Sequence, residues 1–229
     1  MDWSRPVDLY CERTDPTFWA EPVNAVTNAS FLIAALFAFV QWRREDARDW
    51  PVLLLIVITA AIGAGSFIFH TVATRGAALF DTVPIAVFIY GYLFFALRRY
   101  LGLSLAMAAA LLAAFLAVSY AESAVVPRHA LNGSHAYLPA VIATFVIGFL
   151  TLKRRAGPLV IAAGVTIAIS LVFRSIDMAV CERFPLGTHF LWHSLNGLGL
   201  YLLLRAALVD KAAAPMPGRL SRAGPQGPP

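Results

Sequence analysis

Charge is scarce in this sequence. Only 14% of its 229 residues are Asp, Glu, Lys or Arg, against about 25% in an ordinary soluble domain. Apolar residues make up the difference: they reach 59%, with a mean hydropathy of +0.71, where a soluble domain holds about 45–50% on a similar count. Cysteine is nearly absent, with two residues in all. A basic start is missing as well. Residues 1–22 carry Asp2, Asp8, Glu12, Asp15 and Glu21, so the chain does not open like a signal peptide, which begins basic and turns apolar. The apolar runs hold few paired charges and no broken-helix repeat, which argues against a transporter.

What the sequence does have is long apolar runs. Seven candidate spans lie near 24–41, 52–70, 79–97, 101–121, 136–152, 158–177 and 188–208. Most approach the ~20 residues that cross the hydrocarbon of a bilayer as a helix, and the fifth is the shortest. The expected fold is all-α, a seven-transmembrane helix bundle over residues 23–209. An acidic extracytoplasmic segment (1–22) precedes it, and an Ala-, Pro- and Gly-rich tail (210–229), expected to be disordered, follows. Twelve Lys and Arg residues fall on one side of this topology and five on the other. The richer side is cytoplasmic by the positive-inside rule, which puts the N-terminus out and the C-terminus in. The same asymmetry accounts for the net charge of +5 without a nucleic-acid partner. Both Cys11 and Cys181 then lie on the outer side, where an oxidising face permits a disulfide between them.

The polar residues within the spans are few. His189 and His193 are four apart, on one face of a helix at the spacing for two imidazoles to reach one metal ion. His70 closes span two, with Ser66 one turn before it and Gly63-Ala64-Gly65 allowing close helix approach. Asp81 enters span three, followed by Pro84, expected in its first turn. An aspartate in an apolar run marks a functional site by default. All of these fall at the outer end of the bundle. Three histidines and an open position make a catalytic zinc arrangement. Zinc there would polarise a carbonyl and lower the pKa of bound water to roughly 7; Asp81 would accept or orient the water proton, and Ser66 would donate to a developing oxyanion. Asn24 and Asn28 are expected to hydrogen-bond to a neighbouring helix. Arg174 and Asp177, three apart, either pair with each other or leave Asp177 to hold a ligand histidine. The loop with Glu122, Arg128, His129 and His135 is expected to be solvated.

These residues resemble a family. Gly65-Ser66-Phe67-Ile68-Phe69-His70, Asp81 with Pro84, and His189-Phe190-Leu191-Trp192-His193 are similar to segments of the alkaline ceramidases, part of a wider superfamily of seven-span membrane hydrolases that includes the adiponectin receptors. Tyr10-Cys11-Glu12 and Glu21-Pro22-Val23-Asn24 resemble the family's opening segment. The resemblance implies hydrolysis of the ceramide amide to a sphingoid base and a free fatty acid. It implies zinc on His70, His189 and His193, catalytic roles for Ser66 and Asp81, and a Cys11–Cys181 disulfide. It also implies calcium in the N-terminal segment. There Glu12 and Glu21 carry over and Asp8 and Asp15 are nearby oxygen donors. The family aspartate two residues before the cysteine is Leu9 here, and the asparagine three residues after it is Thr14. The expected function is a zinc-dependent lipid amidase of a membrane lipid. The expected setting is a bacterial inner membrane, with the site toward the periplasm. The alternatives are a hydrolase of another N-acyl lipid or an ester, and a seven-span receptor-like protein with a structural zinc site.

Overall fold

The computed structural model describes residues 2–45, 48–127 and 129–210. It is built of helices: α1 (Pro22–Thr27), α2 (Ala29–Glu45), α3 (Trp50–Val72), α4 (Arg75–Arg99), α5 (Leu105–Val125), a 3-10 segment (Ala130–Tyr137), α6 (Leu138–Leu150), α7 (Ala156–Val180) and α8 (His189–Val209). Among the described residues there is no strand, and one isolated bridge joins Pro6 to Thr74. Each of the seven apolar runs is helical over most of its length; the first is split at Asn28, and the fourth becomes helical only from Leu105. Among the described residues, six helical stretches are long and apolar enough to cross a membrane: Pro22–Glu45, Trp50–Val72, Arg75–Arg99, Leu105–Val125, Ala130–Leu150 and Ala156–Val180. The 21-residue α8 is not one of the six, because His189, His193, Asn196 and Arg205 dilute its apolar residues. The bundle exposes what a soluble protein would bury: Leu36, Phe80, Ile142 and Leu150 are each between 60% and 65% exposed. Such a face suits hydrocarbon.

α8 is the central helix, packed along α7 and α2, with Leu203, Leu204, Ala206 and Ala207 in the core. α5 lies at the periphery, and Ala108 is its sole buried residue. The expected disordered tail, 210–229, falls outside the described residues except at its first position. Asp210 is buried and takes two bonds from Arg154, at 2.7 and 2.9 Å. At the same end Arg99 pairs with Asp49, and Arg205 with Glu45.

Two close approaches set the other end. Thr74 caps α4 by accepting from the Ala77 amide at 3.2 Å. The helix therefore begins at Arg75, before the apolar run, and Pro84 lies well inside it rather than in its first turn. Lacking an N–H, Pro84 leaves the carbonyl of Phe80 without its helical partner. That carbonyl faces Gly65 of α3, where a Cβ would come within 1.8 Å of its oxygen. Gly65 thus lets α4 sit against α3 at the level of Ser66 and Asp81. The second approach is at Gly187, in the left-handed region at φ +67°, where a Cβ would meet Asp177 Oδ1 at 2.2 Å and Cys11 Cβ at 2.7 Å. No other residue type fits that turn into α8.

Asp177, fully buried, uses this space. Its Oδ1 accepts from the amides of Thr188 (2.6 Å) and His189 (2.9 Å), and its Oδ2 from the amide of Cys11 (3.0 Å). It therefore caps α8 from another helix, which corrects both expected roles. Arg174 does not pair with it: the guanidinium donates to the Asn132 carbonyl (2.6 Å) and to Ser134 Oγ (3.0 Å), beside the rings of Tyr137 and Trp192. Cys11 and Cys181 form a disulfide across 170 residues of sequence.

Gly65→Ala should displace α4 and lower stability by about 1–3 kcal/mol, the cost of overpacking a tight contact. Gly91→Ala, whose Cβ would meet only Leu55 at 3.9 Å, should leave the melting temperature of the detergent-solubilised protein unchanged.

Candidate metal centre

His70 comes from the end of α3, and His189 and His193 from the first turns of α8. Each is 1% exposed, and one ring nitrogen from each lies within 4.8 Å of the others. Their surroundings sort the nitrogens. Nδ1 of His70 donates to Glu21 Oε2 at 2.6 Å, since a carboxylate has no proton to give. Nε2 of His70 is left buried without a partner, and so is Nδ1 of His189. Thr27 spends its hydroxyl proton on the carbonyls of Val23 (2.8 Å) or Asn24 (3.1 Å), so its oxygen accepts from Nδ1 of His193 at 3.0 Å. That leaves His193 its Nε2. Buried polar atoms without partners are rare and call for a reason. A metal ion is the group that these nitrogens fit: three imidazoles within reach of one another, two of them held by outer hydrogen bonds.

The backbone around the centre explains this placement. α1 and α2 meet at Asn28, and the break turns Thr27 and Ser30 toward α8, where Ser30 Oγ donates to the His193 carbonyl at 2.9 Å. Ser66, buried on α3, hydrogen-bonds to Asp81 of α4 across the contact that Gly65 permits, and the charges of His70 and Arg174 act on that carboxylate. All five expected residues of the centre, Ser66, His70, Asp81, His189 and His193, therefore meet at one end of the bundle. Asn24 and Asn28 do not bond across helices as expected. The Asn28 amide donates to the Asn24 carbonyl at 2.9 Å and the Asn24 amide to Glu21 Oε2 at 3.2 Å.

Sequence reasoning missed two groups here. Tyr10, 5% exposed, stacks on His189 with ring centroids 3.6 Å apart and tilts over His70 at 5.3 Å. Burial pushes its phenol well above the ordinary value, so it stays neutral. Its position next to Cys11 was the available signal. The loop histidine His135 is not solvated: it is 5% exposed and bonded to Glu122 Oε1 at 2.6 Å. His129 is exposed, and Arg128 lies outside the described residues.

The acidic N-terminal residues are spread over separate tasks. Glu12 caps α1, accepting from the amides of Val23 (2.7 Å) and Asn24 (2.8 Å). Glu21 is shared between His70 and Arg13. Asp15 closes an exposed turn with Thr17, and Asp8 is exposed. Among the described residues the three histidines form the one convergent cluster of metal-ligating side chains. The expected calcium ion does not fit: the carboxylates carried over for it already hold other partners.

A buried cluster of three histidines able to hold a metal ion lies at one end of a bundle whose helices are long and apolar enough to cross a membrane, with a serine and an aspartate on the neighbouring helices. The chain belongs to the ceramidase family, whose model matches residues 10–217. The match runs from Tyr10 over all eight helices and so takes in the whole centre. No individually curated protein matches the chain.

Burial works against charge on Glu21, but His70 and Arg13 outweigh it and hold its carboxyl below the ordinary 4.5. A depressed folded value contributes stability that is complete above the unfolded pKa and fades as pH falls below it. In metal-stripped protein, the melting temperature should therefore drop more steeply below pH 4.5 for wild type than for Glu21→Gln. Parallel acid limbs in a thermal-melt series would contradict this.

Proposed function

We propose that this chain is a zinc-dependent amide hydrolase that cleaves ceramides, within the membrane, to a sphingoid base and a free fatty acid. The observation that carries the reading is the set of unpartnered buried nitrogens of His70 and His189 beside His193, one contact away from Ser66 and Asp81. Membership of the ceramidase family supports ceramide as the lipid. An apolar cavity supports it as well. It runs among α2, α3, α4, α6 and α8, lined by Phe31, Ile85, Phe88 and Leu203, and reaches Trp192 and Asn196 on either side of His193. An acyl chain laid there would bring its amide to the histidines.

Zinc held by His70, His189 and His193 would polarise the amide carbonyl and acidify water at neutral pH. The chain's own groups do the rest. Asp81 takes the proton of the attacking water and returns it to the leaving amine nitrogen as the C–N bond breaks. Ser66, released from Asp81, donates to the oxygen on which negative charge develops. Glu21 and Thr27 hold the rings of His70 and His193 in place, and Tyr10 covers His189. α8 completes seven spans. The cation asymmetry of the loops supports a C-terminus on the cytoplasmic side. The histidine end then faces the periplasm of a bacterial inner membrane, with residues 1–22 forming its cover.

Purified in detergent, the protein should release fatty acid from a ceramide panel, lose that activity when stripped of metal and regain it with zinc. His193→Ala should lose both zinc and activity while keeping its helical circular dichroism. Release by a zinc-free His193→Ala protein would end the proposal. Release only from other N-acyl lipids or esters would keep the chemistry and change the substrate.

A further inference from the structure

The N-terminal segment contains a place for a cation, and a side chain already fills it. Arg13 is 7% exposed. Its guanidinium donates to Glu21 Oε1 (2.5 Å) and to the backbone carbonyls of His70 (2.9 Å), Asp15 (3.1 Å) and Thr17 (3.4 Å). One carboxylate and three carbonyls converging on a point are the kind of oxygens that a hard cation such as calcium collects, though calcium takes six to eight. Of the other donors, Asp8 is exposed and Asp15 closes a turn with Thr17. Leu9 and Thr14 stand where the resemblance implies an aspartate and an asparagine, and the oxygens of Glu12 accept from the first free amides of α1. Charge points the same way. Arg13 and Glu21 neutralise each other in a buried setting. A divalent ion added beside them would face the guanidinium and the metal held by the histidines at short range in a low dielectric.

We propose that Arg13 is the built-in cation of this segment. It occupies the place of a calcium ion, makes the N-terminal cover independent of calcium, and acts through Glu21 as a positioning residue for His70. A guanidinium is always charged and presents its donors in a rigid plane, so it ties the 13–21 turn to the end of α3 under all physiological conditions. With one oxygen of Glu21 held by Arg13, the other is fixed on Nδ1 of His70 and aims Nε2 into the centre. Such outer partners of ligand histidines alter metal affinity by about 10–100-fold.

Two measurements on the full chain in detergent test this. In the first, calcium is titrated into zinc-loaded, calcium-free wild type through about 10⁻³ M, the weak end of protein calcium sites, while the melting temperature is followed. A flat response is expected, and a saturable rise overturns the proposal. In the second, zinc affinity is measured by competition with a chromophoric chelator. Arg13→Ala should lose about 10–100-fold, and Arg13→Lys, which keeps the charge but cannot span four oxygens, should fall between it and wild type. If Arg13→Ala fails to fold, Arg13→Lys alone carries this arm. Wild-type zinc affinity in the folded variant overturns the positioning role. This arm rests on the metal reading of the histidines. A wild type that takes up no zinc refutes that reading instead, and the calcium titration still decides whether Arg13 fills the cation's place.

Discussion

A carboxylate taken out of water must have its oxygens filled, or it costs several kcal/mol. Three carboxylates at the histidine end of this bundle meet that demand in the same way, by gathering donors from distant parts of the chain. Asp177 of α7 takes amides from the start of α8 and from Cys11. Glu12 takes two amides from α1. Glu21 takes the guanidinium of Arg13 and the imidazole of His70. Each carboxylate is therefore a tie between segments. Together they fix the N-terminal segment, α1, α3, α7 and α8 around one point, where hydrophobic packing alone is non-directional.

The opposite end is held by other means. Arg99 grips both oxygens of Asp49, and Arg154 both oxygens of Asp210, two-bond pairs with fixed geometry. Small residues set the spacing of the helices along the bundle. Gly65 against Phe80, Gly197 against Ser30 and Gly199 against Ile167 let helices approach closely, as membrane helices do where the solvent is itself apolar.

The legible parts of this protein were those with a local pattern. His189 and His193 stood out by their spacing, and His70, Ser66 and Asp81 because polar groups in apolar runs are rare. The start of α4 was misread because hydropathy does not register a cap: Thr74 extends the helix four residues ahead of the apolar run, which moves Pro84 inward. The roles of Asp177 and Arg174 were misread for a related reason. Their spacing suggested a pair, but the amides that claim Asp177 belong to residues 11, 188 and 189. Tyr10 and Arg13 lie in a stretch with no periodicity, and their partners, His189 and His70, are far along the chain. Only folding brings such partners together.

The bond between Cys11 and Cys181 also bears on how the molecule comes to be made. The second cysteine leaves the ribosome 170 residues after the first. Asp177, Gly187 and both histidines of α8 arrive within the same late stretch of synthesis. Until then Tyr10 lacks the imidazole of His189 on which it stacks, and the amide of Cys11 has no acceptor. The nascent chain therefore passes through a long interval in which the sequence of α1 to α7 is made and the centre is incomplete. The last helix, the cover and the disulfide therefore depend on one another, because each needs residues that only this late stretch supplies.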